Sequence, residues 1–532
     1  MGKEFSFELI RAVSSIDEVL LRNELSRLVE AEILYQIDTP SQAKYFFKHA
    51  LIQDTAYQSL LKSKRQQYHH RIAQVLEEQF TEIAETQPEL LAHHYTEAGL
   101  KEQAVTYWQK AGQKAVERSA NMEAISHLTK GLELLKTLPD TPERDHKELS
   151  LQTILGPALI ITRGYAAPEV KETYVRAREL CQKLGETPQL FPVLTGLWSF
   201  YMIRAQLQVA YELAEQILRL AQSLQDSISF LLSRQMIGIT MFYLGELTSA
   251  RIYLEQSISI YYHTEGHRFY ALLYNVDREV DSLSFVTLTL WLVGYPDQAL
   301  KRMNEAIALA HELNHPYSLA FARLFAARLH HLRQEWHLAE EWADTLISLS
   351  NNQGFKLLLT LGTILRAVVL AEQEQKEERI TEICRGLAAW EATGAELGRP
   401  YHLALLAEVC RKKGKNEEGL SIIDNALTAI GKTTERWYEA EVYRLRGELL
   451  LGLSQENQSE AETCFRRAID IARQQGAKSL ELRAVMSLSL LLRRQGKKEE
   501  AREILSEIYE WFKEGFDTKD LKDARALIDE LS

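Results

Sequence analysis

"YWQKAGQKAVERSANMEAISHLTKGLELL", Tyr107 to Leu135, is the stretch whose reading decides the fold. Ala111, Gly112 and Ala115 place small residues on one face of a first helix, and a second helix carries small Ala124 and Gly131 with bulky Leu128 between them. Between the two, "SAN" reads as a turn. Small residues let antiparallel helices approach, and the bulky residue between them fills the space that is left.

With Trp108 ahead of them, these positions fall at the spacing of the roughly 34-residue tetratricopeptide unit, a helix-turn-helix that must stack on copies of itself to bury its apolar faces. The second-helix anchor returns at Ala210, Ala250, Ala299, Ala339, Ile380, Gly419, Ala461 and Ala501, mostly at intervals of 39 to 42 residues. The 49-residue step before Ala299 holds "HTEGHRFYALLYNVDREVDSL", read as carrying an insertion of about nine residues. Polar turn residues precede a periodic apolar face in "YPDQAL", "RQEWHLAEEW" and "QGKKEEAREIL". An array of this kind needs a polar cap, and "EGFDTKDLKDARALIDELS" supplies a terminal amphipathic helix with Asp517 or Thr518 as its N-cap.

The first 65 residues have another pattern. "FSFELIRAV", "SIDEVLLRNELSRLVEAE" and "DTAYQSLL" read as helices, whereas "ILYQ" and "KYFF" around polar "IDTPSQA" read as the two strands of a small wing. The expected fold is therefore mainly α: a tetratricopeptide-like α-solenoid superhelix preceded by a small winged-helix domain. It comprises a winged-helix-like domain over 1–65, a connecting helix over 66–84, the repeat array over 85–515 and a capping helix over 516–532.

Composition agrees. In 532 residues there are only 11 prolines and 25 glycines against 26% charged residues, a balance that favours long helices. A formal charge of −12 repels nucleic acid and anionic lipid. Cys181, Cys384, Cys410 and Cys464 form no C-x-x-C pair and read as reduced core thiols of a cytoplasmic protein. The most apolar run, "LLLTLGTILRAVVLA", is too short for a membrane span and carries Arg366 at its centre.

Several long runs, among them "FFKHALIQDTAYQSLL", "RQQYHHRIAQVLEEQF", "LAHHYTEAG", "ERWYEAEVYRLRGELLL" and "RRAIDIARQQGAKSLELRA", make the chain resemble the C-terminal half of bacterial STAND-type signal-transduction ATPases. The resemblance covers nearly all of the chain. It implies a winged helix and tetratricopeptide sensor that follow an ATPase core in cis, often behind a class III adenylate or guanylate cyclase domain. The catalytic elements are not legible here. "ALTAIGKTTE" contains Gly431, Lys432 and Thr433 but has Ala426 where a P-loop needs its first glycine, and a repeat helix where it needs a strand, so it reads as a loop between repeats.

Two other chemistries can be weighed on residues. "AHELNHPY" contains His311, Glu312 and His315 at the spacing of a zinc hydrolase. Pro316 disfavours helix at the residue before it, so His311 ends one helix and His315 has left it; the motif reads as a turn between repeats. The pairs His69-His70, His93-His94 and His330-His331 lie on helices with rings in different directions and are not read as metal ligands. A winged helix could bind DNA, and "KSKRQQYHHR" with Lys62, Lys64 and Arg65 is basic, yet residues 1–82 hold 10 Lys and Arg against 12 Asp and Glu. The helix "ALIQDTAYQSLL" also lacks the Arg, Lys, Asn and Gln cluster that reads base edges.

The sequence thus points away from an enzyme, with no catalytic residue, metal or cofactor assigned. It points to a sensor or scaffold that takes a protein, a peptide or a small effector in the groove made by successive first helices. The candidate groove residues are Gln235, Phe242, Trp291, Arg328, His331, Tyr401, Glu408, Arg411, Arg444, Glu448, Arg483 and Arg493, rich in the Arg and aromatic types that anchor interfaces. A zinc hydrolase at "HELNH" and a winged-helix DNA-binding regulator are the alternatives.

Overall fold

Small residues mark the places where neighbouring helices touch. A Cβ added at Gly112 would stand 2.5 Å from Leu128, one at Gly238 2.8 Å from Leu254 and one at Gly447 2.5 Å from Phe465. The bulky side chain of the neighbouring helix packs directly on the glycine and leaves no room for a Cβ. The computed structural model describes residues 4–14, 16–37, 43–185, 188–224, 226–262, 276–373 and 378–532, and these are built almost wholly from such helical hairpins.

The hairpins share one register. Ala124, Ala210, Ala250, Ala299, Ala339, Gly419, Ala461 and Ala501 are each the fourth residue of a second helix, in Asn121–Leu135, Leu207–Leu224, Leu247–Tyr262, Pro296–Glu312, Trp336–Gln353, Asn416–Thr433, Gln458–Gln475 and Lys498–Trp511. All are buried. Ile380 serves as the equivalent anchor, a position nearer the helix start, in Glu378–Glu391. Two residues before seven of these helices the chain turns through the left-handed region. Glycine holds that position at 245, 294, 414 and 496, whereas Ser119, Ala205 and Gln334 occupy it at φ of 58°, 49° and 60°.

Contacts divide the chain into two compact units, one of Met1–Gly164 with Pro168–Val193 and one of Tyr165–Ala167 with Leu194–Ser532. In the first, Lys44–Phe47 pairs antiparallel with Leu34–Ile37 on one side, as the sequence suggests, and with Glu4–Ser6 on the other. The strand Glu4–Ser6 corrects the reading of "FSFELIRAV" as helix throughout. Phe5 stacks on Tyr45 at 5.7 Å, and the helix Phe7–Val13 starts only after Ser6, whose side chain accepts from the Leu9 N–H at 3.2 Å. Phe5, Phe7, Leu21, Leu25, Leu34 and Tyr45 form the core of this region. The helices Lys62–Gln79 and Pro88–Ala98 then pack as a hairpin through Ile72, Leu76, Leu91 and Tyr95, with Trp108 of the next hairpin in the same cluster.

In the second unit, successive turns of the superhelix touch. The Glu396 N–H donates to the Ile203 carbonyl at 2.8 Å, the Arg436 N–H to Tyr243 at 2.8 Å, Ser479 Oγ to Trp291 at 2.5 Å and Arg483 Nη2 to Leu332 at 2.5 Å. These acceptors lie at the C-terminal ends of first helices, where carbonyls have no partner within the helix. A later hairpin supplies one, across separations such as the 188 residues between Trp291 and Ser479 or the 151 between Leu332 and Arg483. The contact is closely packed: the void lined by Trp291, Pro296, Ser479, Phe512 and Asp520 is about 10 Å³, at the lower limit for one water.

Three local expectations change. Gly431, Lys432 and Thr433 form the last turn of the helix Asn416–Thr433 and not a loop. Cys181, Cys410 and Cys464 are buried thiols, but Cys384 is exposed. Thr518 does precede the terminal helix Lys519–Leu531, yet its hydroxyl donates to the Gly515 carbonyl and caps no N–H. The segment 263–275, where most of the inserted stretch falls, lies outside the described residues. No helix among the described residues is long and apolar enough to cross a membrane.

Candidate functional site

Pro316 decides the geometry of "HELNH". The helix Pro296–Glu312 ends one residue after His311, Asn314 turns at φ 50°, and Pro316 opens the helix Pro316–Leu332. His315 is the N-cap: Nδ1 accepts from the Ser318 N–H at 3.3 Å and contacts Ser318 Oγ at 2.7 Å. Ser318 Oγ in turn accepts from the Asp277 N–H at 2.8 Å. An imidazole used as a cap cannot also share a zinc ion with exposed His311. Glu335, the carboxylate 20 residues on, pairs instead with His330 at 2.5 Å and Arg333 at 2.9 Å.

The other histidine pairs hold a feature that the sequence hid. His69 and His94 meet with Nδ1 atoms 2.8 Å apart, the Tyr57 hydroxyl lies 3.0 Å from His69 Nε2, and the His93 ring centroid is 5.5 Å from that of His94. One proton can occupy the gap between the two Nδ1 atoms. Burial keeps both rings neutral, pushing His69 down to about 4 and His94 to about 2. Among the described residues no group of three His, Cys, Asp or Glu is placed to hold a metal ion.

The candidate groove residues all lie on first helices of the second unit, and most of them converge into a common wall of side chains. One half of that wall is aromatic. Phe325, Phe285, Phe242, Trp437 and Tyr401 make an arc with successive centroids 4.9, 5.5, 5.1 and 5.0 Å apart. The Arg328 guanidinium stands over both ends, 5.4 Å from the Phe325 centroid and 5.6 Å from that of Tyr401. Helices Ser227–Leu244, Arg278–Leu292 and Pro316–Leu332 supply one side of this ring, and helix Arg399–Lys412 with Trp437 the other.

The second half is ionic. Arg411 is bidentate to Glu408 at 2.8 and 2.9 Å, and Arg444 to Glu441 at 3.0 and 2.7 Å. Glu448 accepts from Ser487 Oγ at 2.6 Å and lies 3.6 Å from Arg444. Arg483 stands 4.9 Å from the Trp291 centroid and donates to Asp520. Burial alone would raise Glu408, but the Arg411 hydrogen bonds and the charges of Arg444 and Lys412 hold it at about 2. Burial likewise opposes ionisation of Glu441, and Arg444 with Arg483 overcomes it. Elsewhere burial wins: Asp281 rises to about 7 despite Arg278, and Glu435 to about 7 despite hydrogen bonds from the Gly398 N–H and the Trp437 indole.

Three candidates stand apart from these clusters. Gln235 is buried and donates to the Arg278 carbonyl at 2.7 Å and to Asp281 at 3.2 Å. His331, lowered to about 3 by burial, lies edge-on to Trp336. Arg493 pairs with Glu530 of the terminal helix. Phe242, Trp291 and Tyr401 are buried in the chain's own packing rather than displayed on an open groove. The sequence reading missed Phe285, Phe325, Glu435, Trp437, Glu441 and Asp520. "ERWYEAEVY" carries three of these and held the available signal, an aromatic and acidic cluster just ahead of a repeat helix.

Repeated hairpins in one register, with an inner wall of first helices, define a tetratricopeptide-like α-solenoid. Known proteins share features with this chain. Residues 274–333 and 448–532 match the family described as anaphase-promoting complex subunit 5. An uncharacterized protein of Rhizobium meliloti (strain 1021) is 25% identical over 493 residues, covering 92% of this chain and 47% of that protein, so the chain spans about half the length of this curated relative. Similar solved structures include the Rap protein complexed with Competence and Sporulation Factor, at TM-score 0.42 and 11% identity over 80% of this chain and 99% of that one. The Cut9–Hcn1 hetero-tetramer of the APC/C gives 0.47 and 10%, over 91% and 92%. A STAND protein with a tetratricopeptide repeat sensor from Pyrococcus horikoshii gives 0.36 and 12%, over 74% and 61%.

Proposed function

We propose that this chain is the non-catalytic sensor and scaffold region of a signal-transduction ATPase, taking a protein, a peptide or a small effector on the inner wall of the solenoid. In this reading residues 1–65 are a winged-helix-like domain, 66–84 a connecting helix, 85–515 the array and 516–532 its cap, with an ATPase core and an output domain, such as a nucleotide cyclase, supplied in cis in a bacterial cytoplasm. The three-stranded antiparallel sheet beside the helices Phe7–Val13, Glu18–Glu30 and Ala50–Ser59 supports the first assignment.

The observation that carries the proposal is the cluster of first-helix side chains in the second unit, where Arg328 lies against the aromatic arc of Phe242 and Tyr401 and Arg411, Arg444 and Arg483 form the ionic half beside Trp291. A ligand that fits the opened form better than the closed one shifts the population by its differential affinity, and that shift is the signal. The test is hydrogen exchange on the full chain during a screen of peptides, lysate fractions and small metabolites. A ligand that raises the melting temperature and changes exchange in 227–332 and 399–494 supports the sensor reading. If nothing in the screen moves either, the chain is an inert scaffold and the reading fails.

A further inference from the structure

Among the described residues, Arg328 is the inner-wall arginine left without a counter-charge. Arg411, Arg444 and Arg483 each hold a carboxylate within hydrogen-bond distance. Arg328 makes no ion pair or hydrogen bond among the described residues, and its guanidinium lies over the faces of Phe325 and Tyr401. Glu435 is close enough to feel its charge, but both Glu435 oxygens are taken, at 2.8 Å by the Gly398 N–H and at 3.0 Å by the Trp437 indole. Burial also raises Glu435 to about 7, so it balances Arg328 only in part near neutrality.

A second group nearby is unpaired and, unlike the half-buried Arg328, closed off from solvent. Tyr401 is 2% exposed, and its hydroxyl is buried without any hydrogen-bond partner among the described residues. A buried hydroxyl left unpaired costs stability and calls for a ligand or a rearrangement that completes it. Burial pushes this phenol up to about 12 against the pull of Arg328, so at neutral pH it keeps its proton and can donate it. The guanidinium brings a planar fork of N–H donors that matches a carboxylate. Phe242, Phe285 and Trp437 complete an apolar ring beside the two donors.

We infer that Arg328 and the Tyr401 hydroxyl form a carboxylate-binding site whose aromatic ring takes the apolar or aromatic group that bears the acid. This rests on the inner-wall sensor reading and narrows it to an organic acid, either a small free acid or the C-terminus of a peptide ending in an apolar residue. The ligand's charge supplies the missing partner of Arg328, and its second oxygen accepts from Tyr401. Entry requires the two turns that meet at Trp437 to loosen, which couples occupancy to the closure of the superhelix.

The test is calorimetry on the full chain with three probes: 3-phenylpropionate, the tripeptide Gly-Gly-Phe with a free C-terminus, and the same tripeptide as its C-terminal amide. Binding of at least one acid about tenfold tighter than the amide is expected, from the charge-assisted hydrogen bonds the amide cannot make. The two acids together tell whether the source is a free acid or a peptide end. Arg328→Gln abolishes the preference and Arg328→Lys weakens it. Tyr401→Phe, which removes an unpaired hydroxyl and leaves the ring, lowers acid affinity severalfold while the melting temperature holds or rises. If neither acid binds, if acid and amide bind alike, or if folded Arg328→Gln keeps the preference, the inference falls. Equal binding of acid and amide still leaves the broader sensor reading standing, since that reading stands or falls on the exchange screen.

Discussion

Arg483 Nε donates to Asp520 Oδ2 at 2.9 Å while the same guanidinium reaches the Leu332 carbonyl, so one side chain fastens the terminal helix to an earlier turn of the solenoid. Both groups of the ion pair are largely buried, with side chains 13% and 14% exposed. Arg483→Ala leaves Asp520 uncompensated, and the expected loss is about 3–5 kcal/mol in urea unfolding. Arg483→Met with Asp520→Leu regains much of it, because no stranded charge remains. A single variant no weaker than a surface substitution would show that the pair does not hold the turns together.

Hairpin turns offer a test of opposite sign. Ser119 is exposed and sits at φ 58°, a conformation that glycine adopts without strain. Ser119→Gly is expected to gain about 1 kcal/mol by relieving left-handed strain, whereas Gly245→Ala should lose stability, since its Cβ would lie 2.7 Å from Gln475 Nε2 at φ 83°. Gly431→Ala, in a helix with nothing within 4 Å of the new Cβ, should gain about 0.5–1 kcal/mol. Chemical denaturation of the three variants reads all of these.

Burial raises Asp281 to about 7, above its unfolded value, so the native state holds the extra proton. Its contribution is full below about pH 4 and is lost as pH rises to about 7. Asp281→Asn, which still accepts from Gln235, should match the wild type at pH 4 and melt a few degrees higher at pH 8. His402 has the opposite sign: burial lowers it to about 3, below its unfolded value, so stability is full above about pH 6.5 and is lost as pH falls toward 3. A His402→Phe chain that still folds should lose less on acidification than the wild type. Melting curves across the range distinguish the two slopes.

His315 and His311 separate a cap from a metal ligand. His315→Ala removes the Ser318 cap and should cost about 1 kcal/mol, while His311→Ala, on an exposed side chain, should cost almost nothing. Melting in EDTA should match melting in added zinc. A zinc-dependent rise that both substitutions abolish would restore the hydrolase alternative.

The elements were legible because each hairpin carries its own local logic. Ala299 and Ala339 announced two second helices, and Pro316 placed His315 outside a helix, through interactions within a few residues. The strand Glu4–Ser6 was not legible, since its pairing with Lys44–Phe47 is set by a partner about 40 residues away. The inner wall was half legible: the register marked Arg328 and Tyr401, but Phe285 joins them by stacking between neighbouring first helices, and Glu435 and Asp520 only through contacts between turns.

Repeat spacing by itself determined that the chain forms a solenoid of helical hairpins, because small residues at fixed intervals act within one hairpin and its neighbour. Only the tertiary structure decided that the turns meet and that Arg328 faces aromatic rings instead of a carboxylate. Those relationships join residues that are distant in sequence. They depend on the accumulated rotation of successive repeats, a quantity that no local pattern encodes.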